Sequence, residues 1–538
     1  MLRLPSIIFA TIAVASLPCA AAVISVADFG AKPGDGINDA DALRKAVAAA
    51  RSQPGATLLL PPGVYDFRDE AAVRIQNDWM TGKLTGNPER TLFAPYAPHV
   101  KGLDFTGARD LTIKAVGATL LCDGWMEPVS LIECTKVKLE GLTIDYKRKP
   151  FSEGVIREVR GDSFDLEFDE RFPLIPELPL CRMMVWDKTR NRVTGDAAYN
   201  PKGTITAPGK MTVQGSSLGG KPGDIALIIH GFHARPAIFI HRSETIVLEG
   251  VTIHAQEGMG VVGDRVHDLH VRKLRVVPAP GFHQSTNTDA THYTSCTGLI
   301  RYEDCEFQGQ GDDAINVHNY YQTVTRSLGD NRYEAKCPLW YSHGGALDHY
   351  DAGDVVELVA RDTLKPERRC KVVAATPFPK EWRQEITLDA PLPEDTAAYY
   401  LANITRFPRV EMVRCTMKSH LARSVLLKNR HSVIEDCVFD QCTGTAIHVG
   451  AEGDWHESGP CEDVVIRRCR FIRNGRGVPG IHGRIVIEDN RIEGENAARG
   501  VYITGATEAV VRRNTITGCT EQVKVEATHR TDVSANTP

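Results

Sequence analysis

The sequence predicts an all-β protein: a right-handed parallel β-helix with an N-terminal capping helix and two inserted antiparallel β-units, expected as small barrels. Three observations carry this. A short apolar–any–apolar triplet recurs at a spacing of one coil. Two long gaps of strand–turn–strand character break the repeat. An alanine-rich helical segment precedes the first coils.

The triplets are Leu142-Thr143-Ile144, Val251-Thr252-Ile253, Leu274-Arg275-Val276, Cys305-Glu306-Phe307, Cys415-Thr416-Met417, Cys437-Val438-Phe439, Cys469-Arg470-Phe471, Asn490-Arg491-Ile492 and Asn514-Thr515-Ile516. Several neighbours lie 21 to 24 residues apart (251 to 274, 415 to 437, 469 to 490, 490 to 514). Short strands at that period, with no helices between them, stack as coils about 4.8 Å apart. Like residues then form ladders. Cys305, Cys415, Cys437 and Cys469 are expected on one ladder, continued by Asn490 and Asn514. A β-sandwich is the competing fold, but it needs hairpin turns that these segments lack.

The repeat is interrupted between residues 142 and 251 and again between 305 and 415. EGVIREVRGDSFDLEFDE and RCKVVAATPFPKEWRQEITLDAPL read as strand–turn–strand, and GDIALIIH and GDVVELVA as matching strands. The expected organisation is therefore a leader over 1–22, cap and first coils over 23–149, an inserted unit over 150–227 and coils over 228–321. A second inserted unit over 322–404 and C-terminal coils over 405–538 complete it. Near the start, Asn38-Asp39 caps an expected helix running to Arg51, and the strand ATLLLPPG follows. Such a helix covers the open end of the β-helix, an edge that would otherwise pair with other chains.

Residues 1–22 read as a cleaved export signal: Arg3, an apolar stretch too short to span a bilayer, then Ala20-Ala21-Ala22. The chain is therefore expected outside the cytoplasm, periplasmic or secreted. The cysteines count 14, or an odd 13 once Cys19 leaves with the signal, and those on the ladder are expected to be buried and reduced. The net charge of −5 excludes a polybasic surface for nucleic acid or membrane.

Candidate chemistry centres on STNTDATHY (285–293) and GQGDDAINVH (309–318). Asp289 precedes Asp312 by 23 residues, about one coil, so Asp289, Asp312 and Asp313 are expected in one patch on adjacent coils. Carboxylates that close cannot all ionise freely, so one is expected to keep a proton while another stays charged. That is the equipment of glycoside hydrolysis: an acid for the leaving oxygen and a base for water. Strict alternation from Ile315 turns Asp312 outward and Asp313 inward. A bare buried carboxylate is costly, so Gly309 and Gly311 are expected to let the backbone twist and expose both. A turn, or a calcium site, is the alternative for such a cluster. Arg235, Asn287, His292, Asn316, His318, Trp455 and Glu457 are the candidate substrate-binding residues, with Arg423 and Lys428 on later coils also within reach. The aromatic face of Trp455 suits the apolar face of a sugar and Glu457 its vicinal hydroxyls.

The N-terminal segment resembles the start of pectin-lyase-like β-helix proteins. Asn-Thr-Asp (287–289) followed by Asp-Asp (312–313) resembles the clan of inverting polygalacturonases. The longer block HGFHARPAIFIHRS (230–243), EGMGVVG (257–263), STNTDATHY and GDDAINVHNYY is similar to glycoside hydrolase family 110, the exo-acting α-1,3-galactosidases. The Gly-His-Gly and Arg-Ile-Lys of polygalacturonases are missing; Ile481-His482-Gly483-Arg484 is a loose echo. A neutral sugar needs no such basic clamp. The resemblance implies Asp312 as general acid and Asp289 with Asp313 as the pair holding water, with acid and base about 6.5–9.5 Å apart as inversion requires. It implies an oligosaccharide or glycoconjugate ending in α-galactose as substrate, blood group B-like or linear, and neither cofactor nor metal. Another β-helix polysaccharide hydrolase, a lyase, or a non-catalytic glycan-binding β-helix protein are the other readings. A homodimer is compatible with such a fold with side units, and the sequence does not decide the oligomeric state.

Overall fold

A computed structural model describes residues 22–84, 99–231, 234–336, 349–381, 383–459, 461–473 and 483–538. The leader up to Ala21, His233, Ile481 and His482 lie outside the described residues.

Three parallel stacks build the β-helix. One runs through thirteen strands, from Val23–Ser25 to Arg530–Ser534. The second runs through eleven, from Gly63–Arg68 to Thr515–Glu526. The third includes Glu127–Ile132, Ile238–His241, Val261–Asp264, Thr291–Thr294, the start of Ile315–Gly329, Val425–Leu427 and Ile447–Val449. The triplets of the sequence repeat all fall on the second stack, where Thr252 pairs with Arg275, Arg275 with Glu306 and Glu306 with Thr416. Every second side chain points inward, and the inward set forms one continuous apolar core from Val26 to Ile516.

The cysteine–asparagine ladder forms in register and is stitched by hydrogen bonds. The Cys415 amide donates to Cys437 Sγ at 3.4 Å, and the Cys469 amide to Asn490 Oδ1 at 2.8 Å. The Asn490 amide donates to Asn514 Oδ1, and that of Asn514 to Asn536 Oδ1, both at 3.0 Å. All four ladder cysteines are free and buried. Replacing Asn490 by Ala leaves the buried amide of Cys469 without its acceptor. The expected cost is about 2 kcal/mol, read as a lowered midpoint in urea unfolding with an unchanged m-value.

The helix Ala40–Arg51 packs Leu43, Ala46, Val47 and Ala50 onto the first coil. Its first turn is closed by Asn38, whose Oδ1 accepts from the Ala40 amide at 3.2 Å. A second helix, Glu70–Met80, is not visible as apolar periodicity because only Ala72 and Met80 are buried. Its signal is the Asp69 cap, which accepts from the amides of Ala71 and Ala72. Neither helix is long and apolar enough to cross a membrane, and no other among the described residues is.

The two interruptions are antiparallel, but they differ. In the second, Ile315–Gly329, Arg332–Lys336, Arg383–Leu388, Pro366–Phe378, Val355–Ala360 and Tyr399–Asn403 pair in a closed circuit, a six-stranded barrel. The first is an open eight-stranded sheet over Phe151–Ile229, not the expected barrel. One of its edges consists of the two-residue strands Arg192–Val193 and Ala198–Tyr199, too short to offer a ladder to the opposite edge at Gly203–Ala207. Both units leave the helix beside the aspartates. The barrel's first strand is the continuation of the coil strand that starts two residues after Asp313.

Candidate active site

Each aspartate sits in the loop leading into a strand of the third stack. Thr291 pairs with Ile315, and Ile315 with Val425. Asp289, Asp313 and Arg423 each lie two residues before those positions, so they stack on three successive coils. The coil here is 24 residues long, not 23, which places Asp289 against Asp313 rather than against Asp312. One oxygen from each of Asp289, Asp312 and Asp313 lies within 4.8 Å of the others. The trio is tighter than the expected 6.5–9.5 Å, because Asp289 and Asp313 inherit the spacing of adjacent coils and Asp312 is the chain neighbour of Asp313.

The expected exposure of both Asp312 and Asp313 is also corrected. The Asp312 side chain is 27% exposed and that of Asp313 5%. Alternation prevails, and the buried carboxylate is tolerated because a cation meets it. Arg423 donates Nε to Asp313 Oδ1 and Nη2 to Oδ2, both at 3.0 Å, and its backbone amide adds a bond to Oδ1 at 2.8 Å. Burial pushes the Asp313 carboxyl up to about 7; Arg423 works against this, while Asp312 and Asp289 add to it. Asp312 accepts from the Asp313 amide at 3.1 Å and from Arg182 Nη1 at 3.3 Å. Arg182 comes from the first insert and also donates to the Asn287 carbonyl. A Cβ on Gly311 would lie 2.3 Å from that carbonyl and 2.7 Å from Arg182 Nη2, so only glycine admits the arginine. Gly309 holds φ +72°, which turns the chain into the pair.

From Asp313 an alternating run of charges leads along the coils. Arg423 Nη1 bonds Glu452 Oε1 at 2.9 Å, Lys428 Nζ meets Glu452 Oε2 at 2.8 Å, and the same ammonium contacts Glu457. Glu457 faces His318 Nε2 at 3.7 Å, His318 faces His292, and His292 returns to Asp289 at 2.8 Å. Burial by itself pushes the Glu457 carboxyl up, but the Lys428 ammonium in contact with it, together with His292, outweighs this and holds it well below the ordinary range.

The structure thus gathers His292, Asn316, His318 and Glu457 at the trio, but not as a cleft wall. All four are buried, because Glu457–Ser458 lies antiparallel across Asn319 and Tyr320 and roofs them over. Asn316 Nδ2 faces Glu457 at 3.4 Å. Asn287 is fully buried and gives both amide hydrogens to backbone carbonyls, of Pro150 at 3.2 Å and Gly231 at 3.1 Å. Arg235 sits in the same row of loops on an earlier coil, buried, 3.7 Å from Glu127 Oε2 and 3.0 Å from His99 Nδ1. Trp455 stands 49% exposed on the turn before Glu457. Arg423, bonded to Asp313, also lines a cleft of about 690 Å³ together with Asp196, His448, Glu452, Arg499 and Tyr502, and none of the three aspartates is in that lining.

Sequence reasoning passed over Arg182 and Glu452 and gave Arg423 and Lys428 little weight. Coil register would have found Arg423, which occupies the ladder position of Asp289 and Asp313. Arg182 has no such signal, since an insert of different topology delivers it.

Over 481 residues the chain is 25% identical to an alpha-1,3-galactosidase B of Bacteroides thetaiotaomicron, covering 84% of this chain and 76% of that one. It is 26% identical to an alpha-1,3-galactosidase B of Akkermansia muciniphila, over 84% of this chain but only 58% of the other. It is 27% identical to an alpha-1,3-galactosidase A of Shewanella woodyi, over 86% and 78%. The family described as periplasmic copper-binding protein (NosD) matches residues 396–537, the last barrel strand and the C-terminal coils, which contain none of the three aspartates. Among solved structures, the A-module of Azotobacter vinelandii mannuronan C-5 epimerase AlgE4 aligns over 95% of this chain and 98% of its own, at 9% identity and a TM-score of 0.37. A family 28 exopolygalacturonase of Yersinia enterocolitica aligns over 96% and 79%, at 11% and 0.37.

Proposed function

We propose that this chain, a homologue of alpha-1,3-galactosidases over most of its length, is an exo-acting glycoside hydrolase that removes terminal α-1,3-linked galactose from glycans with inversion. The observation that carries the reading is the convergence of Asp289, Asp312 and Asp313 within 4.8 Å, in a chain so related.

The environments divide the labour. Asp312 is the most open of the three, able to meet the glycosidic oxygen and protonate it. Asp289 and Asp313, stacked behind it, hold a water between them. Asp313 has both oxygens tied to Arg423 and Asp289 has one tied to His292. Carboxylates so engaged suit holding water better than attacking carbon, and this favours inversion despite the short spacing. In the reaction the water gives its hydroxyl to the anomeric carbon and its proton to the base pair. The electron pair of the broken bond goes to the leaving oxygen, which takes the proton of Asp312. The two arginines at the trio are occupied by protein carboxylates, so neither stands ready to clamp a uronate; this supports a neutral sugar.

Proton NMR of the protein acting on α-1,3-galactobiose tests the proposal. β-Galactose is expected first, at a rate a chelator does not change. α-Galactose first would mean retention, a rate that falls with chelator would bring in a metal, and no release would reject the substrate.

A further inference from the structure

Behind Asp289 runs a chain of hydrogen bonds whose directions can be assigned from one end. His318 Nδ1 lies 2.8 Å from the carbonyl oxygen of Asn319, and a carbonyl only accepts, so this nitrogen carries hydrogen. The nearest carboxylate to His318 Nε2, that of Glu457, is 3.7 Å away and outside hydrogen-bond distance, whereas His292 bonds a carboxylate directly. The charge therefore belongs on His292, and His318 Nε2 is a bare lone pair; burial, which pushes the His318 imidazole down to about 3, agrees. That Nε2 is 2.8 Å from Nε2 of His292. Two nitrogens at this distance need a hydrogen between them, and only His292 is left to supply it. The remaining nitrogen of His292, Nδ1, is 2.8 Å from Asp289 Oδ2.

The Asp289–His292 pair therefore holds one proton more than a neutral imidazole and a carboxylate would share. The groups facing His292 favour its charge: Asp289 on one side and the carboxylate of Glu457 on the other, with Lys428 beyond Glu457. The rings of His292 and His318 meet edge-on, 4.8 Å between centroids. A metal ion is the rival occupant, since His292, His318 and Glu457 offer atoms within 4.8 Å of one another. Nitrogens 2.8 Å apart are too close for two tetrahedral ligands at about 2.0–2.1 Å each, and a buried ammonium already contacts the carboxylate.

We infer that His292 and His318 are positioning residues for Asp289: His292 stands as an imidazolium between His318 and Asp289, keeps that aspartate ionised, and fixes which of its oxygens faces the attacking water. The inference rests on the proposed hydrolysis for its consequence, but not for its protonation pattern. Neither histidine meets the sugar; both are buried. During turnover the proton of water goes to Asp289, and His292 gives up none.

Nitrogen-15 histidine NMR of the full protein, without substrate, reads the pattern directly. At pH 7 both nitrogens of His292 are expected to carry hydrogen and His318 only Nδ1; Asp289→Asn returns His292 to neutrality. A singly protonated His292 in the wild type, or stoichiometric metal in the purified protein, overturns the inference. In kinetics, His318→Leu removes the acceptor and is expected to lower kcat about tenfold to a hundredfold, as loss of an orienting outer partner does, with KM within about twofold of wild type. The acidic limb of kcat/KM moves to higher pH, because a carboxylate that loses a neighbouring cation titrates higher. His318→Gln, which restores an acceptor oxygen, recovers most of the loss. A raised KM at unchanged kcat would make these histidines ligand contacts and reject the positioning role. If the wild type releases no galactose, the proposed function fails, while the NMR pattern still decides the protonation.

Discussion

Asp312→Asn lowers galactose release from α-1,3-galactobiose by about 10³-fold, within the range of a lost general acid, and leaves the protein folded. The amide is isosteric and keeps an oxygen for the Asp313 amide, which now bonds Asp312 Oδ1 at 3.1 Å. At 27% exposure the new NH₂ is not stranded from water. The variant loses the transferable proton and the charge facing Arg182 Nη1 at 3.3 Å, while Arg182 keeps its bond to the Asn287 carbonyl. The defect is therefore expected in kcat rather than KM, and it shrinks for an aryl galactoside whose leaving oxygen needs no proton. Thermal unfolding should show a loss of about 1–2 kcal/mol, the cost of one hydrogen bond to a charged partner, too little to unfold the protein. A loss below tenfold on the disaccharide would take the acid role away from Asp312.

Arg423→Met is expected to act on stability and rate together. Arg423, bonded to both oxygens of Asp313, works against the burial that raises that carboxyl and so favours the ionised form that can take a proton from water. Without the guanidinium buried Asp313 holds its proton to higher pH and is lost as a base. The rate should fall by about 10²-fold or more. The sign of the pH effect follows from burial. In the wild type Asp313 is raised to about 7, so the folded state binds more protons than the unfolded chain between the ordinary carboxylate range and about 7. Its contribution to stability is then lost as pH rises through that window. The acidic limb of kcat/KM should rise through about pH 7, as Asp313 ionises and can act as base. In Arg423→Met both effects move to higher pH. The variant is destabilised by about 3 kcal/mol above the new midpoint, the cost of a broken buried pair, and by little at pH 5, where Asp313 is neutral. Urea unfolding at pH 5 and pH 9 checks this; a loss equal at both would mean that Arg423 acts through packing rather than charge.

The apolar triplets over 142–516, the two interruptions and the helix to Arg51 were all legible in the chain, because a coil is a local period and each strand declares its inward residues by alternation. The Cys305–Asn514 ladder followed from the same counting. So did the convergence of Asp289, Asp312 and Asp313, although a coil of 24 rather than 23 residues moved the stacked partner from Asp312 to Asp313. The helix Glu70–Met80 escaped because it buries too few residues to leave a pattern, and the open sheet of the first insert because pairing between distant edges has no local signature.

What the sequence by itself determined about this protein is its repeating fold and the presence of three carboxylates in one patch. Only the tertiary structure decided their electrostatics. Arg182 reaches Asp312 from a strand 130 residues away, and Arg423 reaches Asp313 across the whole second insert, 110 residues. The strand Glu457–Ser458 folds back to bury His292 and His318. Charge and burial at a site depend on which groups arrive from elsewhere, and over such separations no period in the chain says which they will be.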